Sequence, residues 1–163
     1  MGNKKRGLDE GIKGMRECGK EATDTGSSMT EQAEQIKAIL DGIDVQDEDD
    51  IKSLTETEQN YQGSFDKSFG EQVETKGQEV KSKGEQIEGE SQTELGQVRA
   101  GIGKMEQAAG ISEIGREAAE TGRDRLEGSA NEYEGIINES HEVVNDTNQE
   151  ITDLKTDLDG LFG

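Results

Sequence analysis

Residues 8–43 read LDEGIKGMRECGKEATDTGSSMTEQAEQIKAILDGI, with core-type residues at Leu8, Ile12, Met15, Gly19, Ala22, Gly26, Met29, Ala33, Ile36, Leu40 and Ile43. The steps between them alternate fours and threes, the spacing that keeps one stripe of a helix facing a partner. A strand repeats its faces every second residue, so this stretch does not read as sheet. It predicts one long helix whose contact stripe carries small residues (Gly19, Ala22, Gly26) in its middle. The pattern stops at DVQDEDD, residues 44–50. Its acids repel one another, and the last of them suit the N-terminus of a following helix, where backbone N–H groups and the dipole attract negative charge. A turn is therefore expected at 44–50, just after Leu40 and Gly42.

Beyond the turn a second helix is expected from near Ile51. Tyr61, Phe65, Phe69, Val73, Val80 and Ile87 lie on one side, interleaved with Gly70, Gly77 and Gly84. Glycines recur at a spacing of seven in three runs: Gly63 to Gly84, Gly89 to Gly110, and Gly115 with Gly122. Seven residues are two helical turns, so each run marks a stripe on a helix and not a set of turns. Between runs the register slips by five, at Gly84 to Gly89 and at Gly110 to Gly115. Ser91 followed by Glu94 has the form of a capping box, which predicts a helix break near 88–92. With no proline or tight-turn pair to enforce it, an unbroken helix from about 51 to 109 stays open. Ile111-Ser112-Glu113 offers another break. The last segment returns to heptads at Leu126, Ala130, Tyr133, Ile137, Ser140, Val144, Thr147, Ile151, Leu154, Leu158 and Leu161. The two slips are 26 residues apart, as are Gly63, Gly89 and Gly115, a faint internal repeat.

The chain holds 22 glycines and no proline in 163 residues. A glycine inside a helix costs ~1 kcal/mol relative to alanine, so this many need a reason. Either bare backbone lets neighbouring helices approach closely, or the glycines face solvent and keep the helices weak alone. Gly19 and Gly26 in the first stripe, and Gly70, Gly77 and Gly84 spaced three before Val73, Val80 and Ile87, favour close approach. The predicted helix–helix interface is Ile12, Met15, Gly19, Ala22, Gly26, Met29, Ile36, Leu40, Val73, Gly77, Val80, Gly84, Ile87, Leu126, Tyr133, Ile137, Val144, Ile151, Leu154 and Leu158.

Composition narrows the object further. Hydrophobic residues make up 28%, aromatics 3%, and the net charge is −20. So little apolar material suits long helices sharing a narrow seam better than a globular core. The acidic surface disfavours nucleic acid and anionic membranes, and the basic cluster Lys4-Lys5-Arg6 is too small to reverse that. No apolar run is long enough for a membrane span or a signal-peptide core, which leaves a cytoplasmic protein or one secreted without a cleaved signal peptide. Met1-Gly2 begins a myristoylation pattern but has Arg6 where Ser or Thr is usual. The single Cys18 gives no disulfide framework.

Catalytic constellations are missing. His141 sits on a predicted helix without an orienting partner in sequence, and acids on an acidic helix mean nothing without a cleft. Residues 44–50 lack the glycine and terminal glutamate of a calcium loop, and Asp157-Leu158-Asp159-Gly160 is equally bare. Gly101-Ile102-Gly103 has no strand before it and is not a nucleotide loop. No enzyme, cofactor, metal site or small-molecule substrate is expected.

Two helices joined by a short polar loop, with Leu40-Asp41-Gly42 at the turn, resemble the helical hairpins of the WXG100/LXG group over at most the N-terminal half. The resemblance implies a small acidic partner or substrate of bacterial type VII secretion, leaderless and paired as a helical bundle. A second Leu-x-Gly, Leu126-Glu127-Gly128, precedes the last segment. The chain has no Trp-x-Gly, and Tyr133 is followed four residues on by Ile137, where the family's export signal carries an acid. The expectation is an all-α protein of three or four long helices, in antiparallel hairpins or an elongated coiled-coil bundle. It divides into an N-terminal hairpin, 1–90, and a C-terminal helical part, 91–163, which can be continuous with it. Its work would be helical interaction, with a protein partner or by self-association. A hydrophilin-like or filament-forming structural coiled coil, and a cytosolic adaptor mimicking acid-rich partners, are the alternatives.

Overall fold

A computed structural model describes residues 2–162; Met1, with its part of the Met1-Gly2 pattern, lies outside them. Helix α1 spans Gly2–Asp41, α2 Glu48–Phe69, α3 Thr75–Ile111 and α4 Glu113–Phe162, and a π-helical turn at Gly70–Glu74 joins α2 to α3. No strand occurs among the described residues. The chain is a helical bundle, and none of its described helices is long and apolar enough to cross a membrane.

The connections follow from local chemistry. After Leu40 the Gly42 N–H donates to the carbonyls of Ala38 and Ile39, at 3.1 and 3.2 Å. Asp47, in extended backbone, then caps α2: its carboxylate accepts from the Asp50 N–H at 2.8 Å, and Asp50 reaches back to the Gln46 N–H at 3.3 Å. Glu48, Asp49 and Asp50 fill the first turn, where the helix dipole favours them. Of the acids expected to form the turn, the second half thus begins the helix. No described glycine has a positive φ, so the glycines do not serve backbone conformation.

The helix break expected near 88–92 is absent. α3 runs through it, and Ser91 is a fully buried interior residue, not a cap. The division at residue 90 is likewise not where the chain divides. One compact unit comprises Met1–Met15 with Ser82–Val143, the other Arg16–Lys81 with Val144–Gly163. Three helices bury stripes in both units, so no loop marks the division.

The π-helical turn has a cause in the spacing. Phe65, Phe69, Val73 and Gly77 are three consecutive steps of four. On a regular helix of 3.6 residues per turn, those twelve residues would carry the stripe roughly 120° off its partner. A turn that absorbs one extra residue cuts the drift to roughly 20°. Phe69, Val73 and Gly77 consequently remain buried together.

Candidate functional site

The feature that gathers the predicted residues is the interface between helices. In the unit of Arg16–Lys81 and Val144–Gly163, a buried cluster joins Ala22, Met29 and Ala33 of α1 to Phe69 of α2, Val73 of the π-helical turn, and Ile151 and Leu158 of α4. Phe65, Leu154, Leu161 and Phe162 pack against it. Glycines sit where side chains from another helix reach the backbone. A Cβ on Gly19 would lie 2.6 Å from Thr147 Oγ1, one on Gly26 2.9 Å from Leu154 Cδ1, and one on Gly77 2.8 Å from Ile151 Cδ1. Real Cβ atoms essentially never approach so closely. Exposed ion pairs flank the seam, Lys76 with Glu21 at 2.8 Å and Lys155 with Glu74 at 2.7 Å. Pairs this exposed contribute ~0–1 kcal/mol. Burial first, and then Glu79, push the Cys18 thiol up, which leaves it a poor nucleophile.

In the unit of Met1–Met15 and Ser82–Val143, Leu8, Ile12 and Met15 are buried, as are Ile87, Leu95 and Val98 of α3 and Tyr133, Ile136, Ile137 and Val143 of α4. Gly84 is buried, and its carbonyl accepts from the Ser140 hydroxyl at 3.2 Å. A Cβ on Gly11 would come within 3.0 Å of Ile87 Cδ1, and one on Gly101 within 3.0 Å of Leu126 Cδ1. Two buried hydroxyls, Ser91 Oγ and Tyr133 OH, have no hydrogen-bond partner. Burial first, with Glu94, pushes the Tyr133 phenol above its ordinary range.

Of the predicted interface residues, Ile36, Leu126, Val144 and Leu154 are half-buried, and the other sixteen are buried. Leu40 is buried at the end of α1, and Gly42 is exposed in the turn. Ile43, included in the first stripe, is exposed beyond the helix end, and so is Tyr61 on α2. Leu126-Glu127-Gly128 is inside α4 and marks no turn. The second glycine run behaves differently from the first. Gly89, Gly96, Gly103 and Gly110 are all exposed, with nothing within 4 Å of an added Cβ, as are Gly63 and Gly115 of the 26-residue repeat. For the second run the reason is the five-residue slip: five residues turn a helix by roughly 140°, from the contact stripe to the solvent side. The buried stripe itself continues from Gly84 through Ile87, Ser91, Leu95 and Val98. Gly11, Gly101 and the Ser91 position were not singled out by the heptad reading. Each lies a step of three or four from a core residue, which was the available signal.

His141 is exposed on α4, and its Nε2 is 2.8 Å from Glu88 of α3. No group of three or more His, Cys, Asp or Glu among the described residues is placed to hold a metal ion. Asp157–Gly160 and Gly101–Gly103 are both helical. An open cleft of about 420 Å³ lies between Leu40, Leu54, Leu161 and Phe162, edged by Lys37 and Glu58. Compared with known proteins, this chain matches no family model, no curated protein and no solved structure.

Proposed function

We propose that the chain is a non-enzymatic helical interaction protein that serves as a partner or substrate of a type VII-like secretion system. The observation that carries the interaction reading is the seam. Its bare backbone at Gly19, Gly26 and Gly77 meets Thr147, Leu154 and Ile151, a fit that specifies contact between helices and encloses no substrate. An exposed His141, paired with Glu88 at the surface, supports the non-enzymatic part. The secretion reading is supported by the resemblance, with Leu40-Asp41-Gly42 at the end of the first helix, before the connection to the second.

Helix directions are inferred from paired residues. In one unit, Glu21 and Gly26 of α1 meet Lys76 and Phe69; as one number rises the other falls, so these helices are antiparallel. Gly19 and Gly26 meet Thr147 and Leu154, seven residues apart on both helices, so α1 and α4 run the same way. In the other unit Arg99 pairs with Glu134, Gly101 meets Leu126 and Met105 meets Gly122. These contacts nest about Ser112 and make α3 and α4 an antiparallel hairpin.

The test is affinity purification of the tagged chain from its native cell, together with its extracellular level with and without the secretion ATPase. Recovery of a secretion component, and loss of the extracellular chain without the ATPase, is expected. Export that ignores the ATPase refutes the secretion reading; a chain that purifies alone from both compartments refutes interaction with another protein.

A further inference from the structure

Helix α1 begins at Gly2, and its Lys5 pairs with Glu132 of α4, twenty residues short of the turn at Ser112. From Arg99 to Ser129, around the turn at Ser112, only Ala119 is buried. Ile102, Met105 and Leu126 are half-buried, and at the tip Ile111 is 79% and Ile114 98% exposed. These two are the most exposed large hydrophobic side chains among the described residues. The tip also differs in charge. Residues 99–125 carry Arg99, Lys104, Arg116, Arg123 and Arg125 against five acids, no net charge in a chain of −20.

We propose that this uncovered hairpin tip pairs with the tip of a second copy of the same chain, each supplying the helices the other lacks. The inference names one partner for the helical-interaction reading and does not depend on secretion. Electrostatics selects the occupant. Two copies this acidic repel over most of their length, but the five bases and five acids of residues 99–125 balance, so a two-fold contact at the tip meets no such repulsion. Each arm from Arg99 to the turn is roughly 20 Å long and about 10 Å wide. The pairing face is therefore on the order of 400 Å² per copy, below the ~800 Å² of a standard interface, so the dimer is weak and forms with rising concentration.

Sedimentation equilibrium of the full chain, from micromolar to millimolar protein, tests this. A monomer–dimer equilibrium is expected that strengthens with salt, because salt screens the repulsion elsewhere. Ile111→Glu with Ile114→Glu should weaken it at least tenfold with helicity intact, since both side chains are already solvated. In a Cys18→Ser background, Ile114→Cys should form the disulfide-linked dimer at least tenfold faster than Ile39→Cys, a control 67% exposed on α1. A monomer at all concentrations, a dimer indifferent to the double variant, or equal cross-linking rates would overturn the proposal. So would a monomer whose Ile114 instead anchors it to phospholipid vesicles.

Discussion

Replacing Gly19 with alanine tests the close approach that the seam depends on. Alanine is the better helix former by ~1 kcal/mol, so a site with open space gains about that much. At Gly19 the added Cβ falls 2.6 Å from Thr147 Oγ1, 3.3 Å from its Cγ2 and 3.5 Å from its Cβ. Thr147 is buried and β-branched, hence stiff at χ1, and relief requires the two helices to separate. Overpacking of this kind costs ~1–3 kcal/mol, so the net effect of Gly19→Ala is a loss of roughly 0–2 kcal/mol. Gly14, on the same helix with nothing within 4 Å of its Cβ, supplies the control, and Gly14→Ala should gain about 0.5–1 kcal/mol. Urea and thermal unfolding followed by circular dichroism read the difference, at about 2–4 °C of Tm per kcal/mol for a chain this size. Thr147→Ala removes Oγ1 and Cγ2 and leaves only an ordinary 3.5 Å contact, so the Gly19→Ala/Thr147→Ala pair should show a favourable coupling of ~1 kcal/mol or more. If Gly19→Ala stabilises the protein as much as Gly14→Ala does, the helices are not held at glycine distance and the argument is wrong.

Other expectations follow from single groups. Ser91→Ala should raise stability by ~1 kcal/mol, because the buried hydroxyl forgoes water without gaining a partner; a drop in the urea midpoint would show that Ser91 has a partner. Tyr133 is held neutral in the fold by burial and by Glu94. Its contribution is present below the ordinary tyrosine range and is lost as pH rises through the elevated value, so stability measured above pH ~10 should fall less steeply in Tyr133→Phe. Equal slopes would count against a buried phenol. Asp47→Ala removes the carboxylate cap of α2 and should lower stability by ~1 kcal/mol. Amide exchange should localise the loss to residues 48–52, and unchanged protection there would contradict the cap.

Spacing alone carried a long way in this chain. The alternation of fours and threes from Leu8 to Leu40, and again from Leu126 to Leu158, defines which residues share a helix face, and the structure buries or half-buries each of those named for the interface. This works because helix geometry converts sequence separation directly into angle, at 100° per residue. The five-residue slip at Gly84 to Gly89 held the same information. Read as an angle, it sends the second glycine run to solvent, and only its reading as a break hid that.

Tertiary structure decided what angle cannot. Gly14 and Gly19 are both helical glycines, yet only Gly19 meets a side chain, because the approach of Thr147 depends on where α4 lies. Ser91 resembles a cap in sequence and becomes a buried, unpartnered core residue, because the stripes of α1 and α4 continue past it. Ile111 and Ile114 read as ordinary hydrophobic residues in sequence, yet they are the most exposed large hydrophobic side chains among the described residues. Sequence fixes the faces of each helix by local geometry; which faces find cover depends on contacts between residues far apart in the chain.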